Sequence, residues 1–389
     1  MGDPFAGTLL GVEVTIDRAA IGLAEKVLAI LDEGDFAATY KYALLLGLLD
    51  VCLEKKGPDR SSSSTVVLPR EIAPKVIEYY WPQVRVYPKP ARVLEQVRSG
   101  SAEHRTILSE VESFRTKHGA SRDPSLGLVR SAFPSEYEEL LDFVEHKLIH
   151  MPIPRLQRVG GQEYRFLYEY GWDDAINSGR IGRFQATRSG FDERLLLLPG
   201  VADQLCDLNG LLRPIIQRQW TRRVARYNKL EEARLEDFLF GASRVGLAPV
   251  APHLVELQEG ACFYCQLPLT TKVHVDHFVP WARHVDNGLF NLVAAHERCN
   301  GRKRDYLAVA EHVERWVDRA VTAKSRIDAL ATSIPWEAEH LRTGRAAAAI
   351  YGRMPEGALG WARDDDFLAL DRPRIIRALE KWPGISGAG

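Results

Sequence analysis

From Arg18 to Glu54 apolar residues recur at helical spacing: Ile21, Leu23, Ala24, Val27, Leu28, Ile30 and Leu31, then Tyr40, Ala43, Leu44, Leu45, Leu48 and Leu49, with Glu33, Gly34 and Asp35 between the two sets. This spacing predicts two helices. Lys55–Thr65, with its Lys-Lys-Gly-Pro and Ser61–Ser64, reads as a surface loop. Pro69 then opens a helix over Arg70–Trp81, with Tyr79, Tyr80 and Trp81 as core. Helical segments continue through residues 93–150, separated by turn signals at Gly119–Pro124 and Pro134-Ser135. Between Pro152 and Pro199 the periodicity shortens. The runs Tyr164–Tyr170, Arg183–Thr187 and Leu195–Leu198 are divided by glycine-containing turns, which predicts a small antiparallel sheet.

Val201–Arg234 returns to helix with two separate faces. Ile216, Trp220, Val224, Tyr227 and Leu230 make an apolar stripe, and Arg218, Arg222, Arg226 and Lys229 a basic one. The basic stripe is either a solvated face or a rail for DNA phosphates. Val313, Trp316, Val317, Ala320 and Val321 predict one further helix, followed by short helices and a glycine-rich tail. The expected fold is α+β and predominantly α-helical. Its organisation is a mainly helical sensor or specificity region (1–150), an α+β region ending in the basic helix (151–250), a small metal finger (251–310) and a C-terminal helical extension (311–389).

Hydrophobic residues make up 46% and charged residues 26% of the 389 positions, which excludes disordered, collagen-like and coiled-coil chains. Lys and Arg (51) balance Asp and Glu (52), so any nucleic-acid site is local rather than a property of the whole surface. Met1–Ile16 lacks the basic and apolar blocks of a signal peptide. The most apolar stretch, Tyr42–Leu53, is broken by Gly47 and Asp50. The expectation is a cytoplasmic protein without a membrane segment. Of five cysteines, Cys52 and Cys206 stand alone among apolar residues, whereas Cys262, Cys265 and Cys299 lie close together among histidines. That is a metal pattern and not a disulfide framework.

Cys262-x2-Cys265 and His296-x2-Cys299 have the paired spacing that closes a tetrahedral Zn2+ site, because a two-residue gap lets a tight knuckle aim both side chains at one ion. Four protein ligands leave no open position, so this zinc would be structural. Between the pairs, Val273–Val275 reads as a short strand that delivers Asp276 and His277 to a loop, Phe278–Phe290. Asn300 is placed at the head of a helix, one residue after the last zinc ligand.

Val-Asp-His, a loop ending in Asn-Leu-Val, and Cys-Asn-x-x-Lys, framed by zinc knuckles, resemble the HNH nucleases, whose ββα-metal finger cuts nucleic acid. The resemblance covers about residues 255–310. It implies that His277 is the general base, that Asp276 and Asn300 hold a catalytic Mg2+ or Mn2+, and that Asn291 braces the loop and orients the base. Arg298, Arg302, Lys303 and Arg304 cluster near the helix, with Lys303 read as a phosphate contact and Arg302 as DNA-binding; His274 and His284 are read as spectators. The function so implied is metal-dependent hydrolysis of DNA, with the N-terminal region setting target or activation. The overall plan resembles restriction or anti-phage defence nucleases. The alternative is a non-catalytic, zinc-stabilised module that binds DNA or protein. A homo-oligomer, an activating ligand or a partner acting through the N-terminal region stays open.

Overall fold

The computed structural model describes residues 18–33, 38–57, 65–97, 105–119, 125–159, 161–172, 176–241, 245–270 and 272–385. The expected break at Gly34 and Asp35, the loop at 58–64, the turn at 120–124, the tail at 386–389 and the Met1–Ile16 segment lie outside them.

Helices dominate the first part of the chain: α1 (Arg18–Glu33), α2 (Tyr40–Lys56), α3 (Pro69–Tyr80), α4 (Ile107–His118), α5 (Leu126–Ala132), α6 (Pro134–His150) and α7 (Pro152–Leu156). Tyr42 to Leu53 of α2 are all buried, so this helix is a hub rather than a one-sided surface helix. Gly47 permits its close approach to α3, since a Cβ there would lie 2.9 Å from Ile72 Cγ2. Tyr79, Tyr80 and Trp81 are core residues, as expected.

The predicted sheet is present and small. β1 (Val66–Val67), β5 (Leu195–Leu197) and β4 (Tyr168–Tyr170) pair antiparallel in that order, while β2 (Arg158–Val159) and β3 (Gln162–Glu163) form a separate ribbon. Tyr168 opposes Leu197 and Tyr170 opposes Leu195, which puts the large apolar side chains on the buried face. Arg183–Thr187, expected as a strand, instead ends helix α8 (Ser178–Thr187). The Asn177 side chain caps that helix at the Arg180 amide, Ile181 and Phe184 bury one face, and Arg188 stops it in the left-handed region. Helices α9 (Val201–Asp207), α10 (Asn209–Asn228), α11 (Leu235–Phe240) and α12 (Ala251–Leu257) follow.

Strands β6 (Val273–His277) and β7 (Leu292–His296) then pair as a hairpin that leads into α13 (Glu297–Lys303), the ββα order expected for the finger. Beyond it lie α14 (Ala310–Thr322), α15 (Lys324–Ser333), α16 (His340–Gly352), the hairpin β8 (Leu359–Arg363) with β9 (Asp366–Ala369), and α17 (Arg372–Leu379). That last hairpin stands where only helices were expected. The finger does not fold against solvent. Phe278 stacks on Trp316 of α14 at 4.4 Å, and Arg319 donates to the carbonyls of Leu292 and Phe290, both at 2.7 Å. Burial pulls the Arg319 pKa down to about 10. Buried apolar residues from α1 to Trp382 form one contiguous core. Among the described residues no helix is long and apolar enough to cross a membrane.

Candidate functional site

The cysteine pairs converge. A turn at residues 261–268, closed by Cys262 N donating to Leu267 O and by Gln266 in the left-handed region, carries Cys262 and Cys265; the junction of β7 with α13 carries His296 and Cys299. The ligand atoms of all four lie within 4.8 Å of one another. His296 Nε2 donates to Pro268 O at 3.1 Å, so its lone pair is on Nδ1, the atom that lies 3.3 Å from Cys265 Sγ. A hydrogen bond from the Cys299 thiol, with backbone amides in support, outweighs burial and lowers the Cys262 thiol to about 4, while the same pairing pushes Cys299 up. Three sulfurs and one imidazole lone pair fit a closed tetrahedral ion, whose ligands stand about 3.5 to 3.8 Å apart for zinc.

Beside this centre, His274 and Asp276 share one face of β6 because strand side chains alternate, and α13 packs on that face. Asn300 lies in the middle of α13 and not at its head, since the helix begins at Glu297. Its amide donates to His274 Nδ1 at 3.5 Å, which leaves its oxygen open. Asp276 Oδ2 accepts from Tyr264 OH at 2.5 Å and pairs with Lys303 Nζ at 3.1 Å. Lys303 is fully buried and also donates to the His277 carbonyl at 2.9 Å. The phosphate contact expected of it is therefore replaced by an internal one, because no substrate reaches a side chain sealed under the strand.

His277, at the last position of β6, points elsewhere. Its Nε2 lies 2.8 Å from Asn287 Oδ1 and its ring 5.3 Å from that of Trp281. A carboxamide oxygen only accepts, so Nε2 carries the hydrogen and Nδ1 the lone pair. Burial holds the His277 pKa below its ordinary value. Asn291 is fully buried and clamps the intervening loop: it accepts from Val279 N at 2.8 Å and donates to Asp286 O at 3.0 Å and Val279 O at 3.2 Å.

Residues outside the finger hold the rest of that loop. Arg342 donates to Val285 O at 2.6 Å, Thr343 to Asp286 Oδ2 at 2.6 Å, and Trp336 to Asn287 O at 2.8 Å. His284 is buried on α2, with Nδ1 3.1 Å from Asp50 Oδ1 and Nε2 at an ion-pair distance of 3.3 Å from Glu54 Oε1. Burial alone would lower its pKa, but the two carboxylates overcome this and raise it. Asp50 also meets Arg213 at 2.6 Å and Tyr79 OH at 2.6 Å, and Glu54 meets Lys75 at 2.6 Å and Arg342 at 3.0 Å. Burial would raise both carboxyls; their cationic neighbours hold Asp50 far below the usual range and Glu54 down to about 2. Sequence reasoning missed Asn287, Tyr264 and this buried cluster. Its visible signal was Asp50, a carboxylate inside the most apolar stretch of the chain.

The basic residues divide. Arg302 and Arg298 pair with Asp365 and Asp364 at the tip of the β8–β9 hairpin, so both are already occupied by carboxylates. On α10, Arg218, Arg222 and Arg226 are exposed opposite buried Ile216, Trp220 and Val224, and Lys229, which ends the helix in the left-handed region, is exposed too. Arg222 reaches Glu232 at 3.4 Å, and no described carboxylate pairs with the other three. Asn209, at the start of α10, donates to Arg283 O of the finger loop at 2.9 Å. With a rise of about 1.5 Å per residue, the stripe begins about 14 Å along the helix from that contact and ends about 30 Å from it.

No curated protein and no solved structure matches the chain. Residues 21–239 match the family described as a domain of unknown function (DUF8808), and residues 262–309 match the family described as HNH endonuclease. With more than half of its length under the first match, and the ββα finger with its Cys3His cluster under the second, the chain belongs to the DUF8808 family and carries an HNH endonuclease domain downstream of it.

Proposed function

We propose that the chain is a metal-dependent endonuclease that hydrolyses DNA phosphodiester bonds at the end of β6, with Zn2+ held structurally by Cys262, Cys265, His296 and Cys299. The observation that supports this most directly is the His277–Asn287 hydrogen bond, which fixes the ring and leaves the Nδ1 lone pair to draw a proton from an attacking water. Asp276 and Asn300 offer two hard oxygen donors, suited to Mg2+ or Mn2+ and too few to hold such an ion without water and phosphate oxygens. When bound, that ion neutralises the charge that builds on the phosphate and the leaving oxygen. Tyr264 and Lys303 fix the Asp276 carboxylate, and Asn291 keeps the loop turned so that Asn287 faces His277. Arg218, Arg222, Arg226 and Lys229 hold backbone phosphates away from the cut, and Arg302 joins them when the hairpin carboxylates give way. The helices of residues 1–150 decide target or activation, a cytoplasmic arrangement akin to restriction or anti-phage defence.

Plasmid nicking in added Mg2+ is the test. His277→Ala is expected to slow nicking by about 100 to 10,000-fold with zinc content and DNA affinity unchanged. A variant that cuts like wild type would move the base to another residue, and a wild type that binds DNA and zinc without nicking in Mg2+ or Mn2+ would replace this reading with a binding module.

A further inference from the structure

Where α3, the start of α5 and the loop after β6 meet, a cavity of about 70 Å³ stands open beside the site. The tryptophans Trp81, Trp281 and Trp336 line it, together with Asn287, Arg342 and Glu337. Trp281 and Trp336 each spend their only donor on a backbone carbonyl, of Phe240 at 3.0 Å and of Asn287 at 2.8 Å, so they offer a ligand ring surface and no hydrogen bond. Arg342 is taken up by Glu78 and Glu54. Glu337 is different. Its side chain is 11% exposed, its nearest cation is Arg130 at 3.7 Å, beyond hydrogen-bond reach, and among the described residues no hydrogen bond reaches its carboxyl group. Burial raises its pKa. A water needs about 10 to 15 Å³ of such space, so the cavity holds about five waters or one ring system.

We infer that this cavity binds one planar heteroaromatic ring bearing an N–H donor, of the nucleobase class, which stacks among the tryptophans and donates to Glu337. Sugar and phosphate stay outside for want of room. The ring comes either from a free base or nucleotide, or from a base turned out of the bound nucleic acid. Asn287 lines the cavity and also holds His277, so occupancy is felt at the ring proposed as the base. The effect on cutting rests on the nuclease reading; the binding does not.

The experiment titrates the full chain with adenine, and separately with benzoate, which is planar but lacks the donor, while following tryptophan fluorescence. Adenine is expected to quench saturably at concentrations up to about 10 mM and benzoate not to. Glu337→Leu should weaken adenine by about tenfold or more, with an unchanged melting temperature, and Leu247→Trp, which fills the cavity, should abolish the response. If adenine competes with DNA, the site serves an extruded base; if it changes nicking without displacing DNA, it serves a free ligand. No saturable quenching by adenine, equal quenching by benzoate, or quenching retained in both variants would overturn the site. Each of these results is read without cleavage, so a chain that never nicks plasmid fails the nuclease reading alone.

Discussion

An ammonium sealed from water keeps its charge only beside a counter-charge, and Lys303 has the Asp276 carboxylate at 3.1 Å and the His277 carbonyl at 2.9 Å. Removing one partner of a buried ion pair costs about 3 to 5 kcal/mol, because the other charge is left unpaired. Lys303→Met is therefore expected to lose about 3 kcal/mol in urea unfolding and to leave the salt dependence of DNA binding unchanged. A phosphate contact would do the reverse, flattening the log affinity against log salt slope by about 0.9 with little loss of stability. At the other end of the finger, Cys299→Ser is expected to lower both zinc content and melting temperature, since three ligands hold a structural ion less well than four. Full zinc by elemental analysis with unchanged melting would remove that assignment.

On the proposed reading, the hairpin carboxylates and the DNA phosphates would compete for the same two arginines. The β8–β9 tip places Asp364 and Asp365 on Arg298 and Arg302 of α13, and these pairs are largely exposed. Exposed pairs contribute about 0 to 1 kcal/mol each, so a DNA backbone can displace them. Asp364→Asn with Asp365→Asn is expected to tighten DNA binding and steepen its salt slope, as two arginines are released to phosphate. Arg218→Gln with Arg222→Gln on α10 should flatten the slope by about 1.8, alike for unrelated sequences. An unchanged slope would return α10 to a solvated helix over its Ile216 and Trp220 core.

Across the whole molecule, buried charge ties the DUF8808 helices to the loop of the HNH finger through His284. Folding raises its pKa above the ordinary value of about 6.5, so its contribution is complete below about pH 6.5 and is lost as pH rises through the folded-state value. The stability gap between wild type and His284→Gln should narrow on going from about pH 6 to about pH 9. A constant gap over that range would mean an imidazole that is neutral throughout. The metal cluster and the finger were legible because Cys262 to Lys303 are close in sequence and their spacing is itself the geometry. The helices were legible because α1, α3 and α14 repeat apolar residues at helical period. The short α8, with only Ile181 and Phe184 to bury, carries too little periodicity to declare itself. The His284–Asp50 contact spans 234 positions and leaves no local pattern at all. That span has a consequence for synthesis. Arg342, which clamps Val285, is added 57 residues after it. At typical translation rates that is a lag of about 3 to 11 s, during which the cysteines and His277 already exist while their loop is unclamped. On the proposed nuclease reading, a chain still on the ribosome lacks a working loop, and cutting would begin only once α16 has emerged and docked on α2.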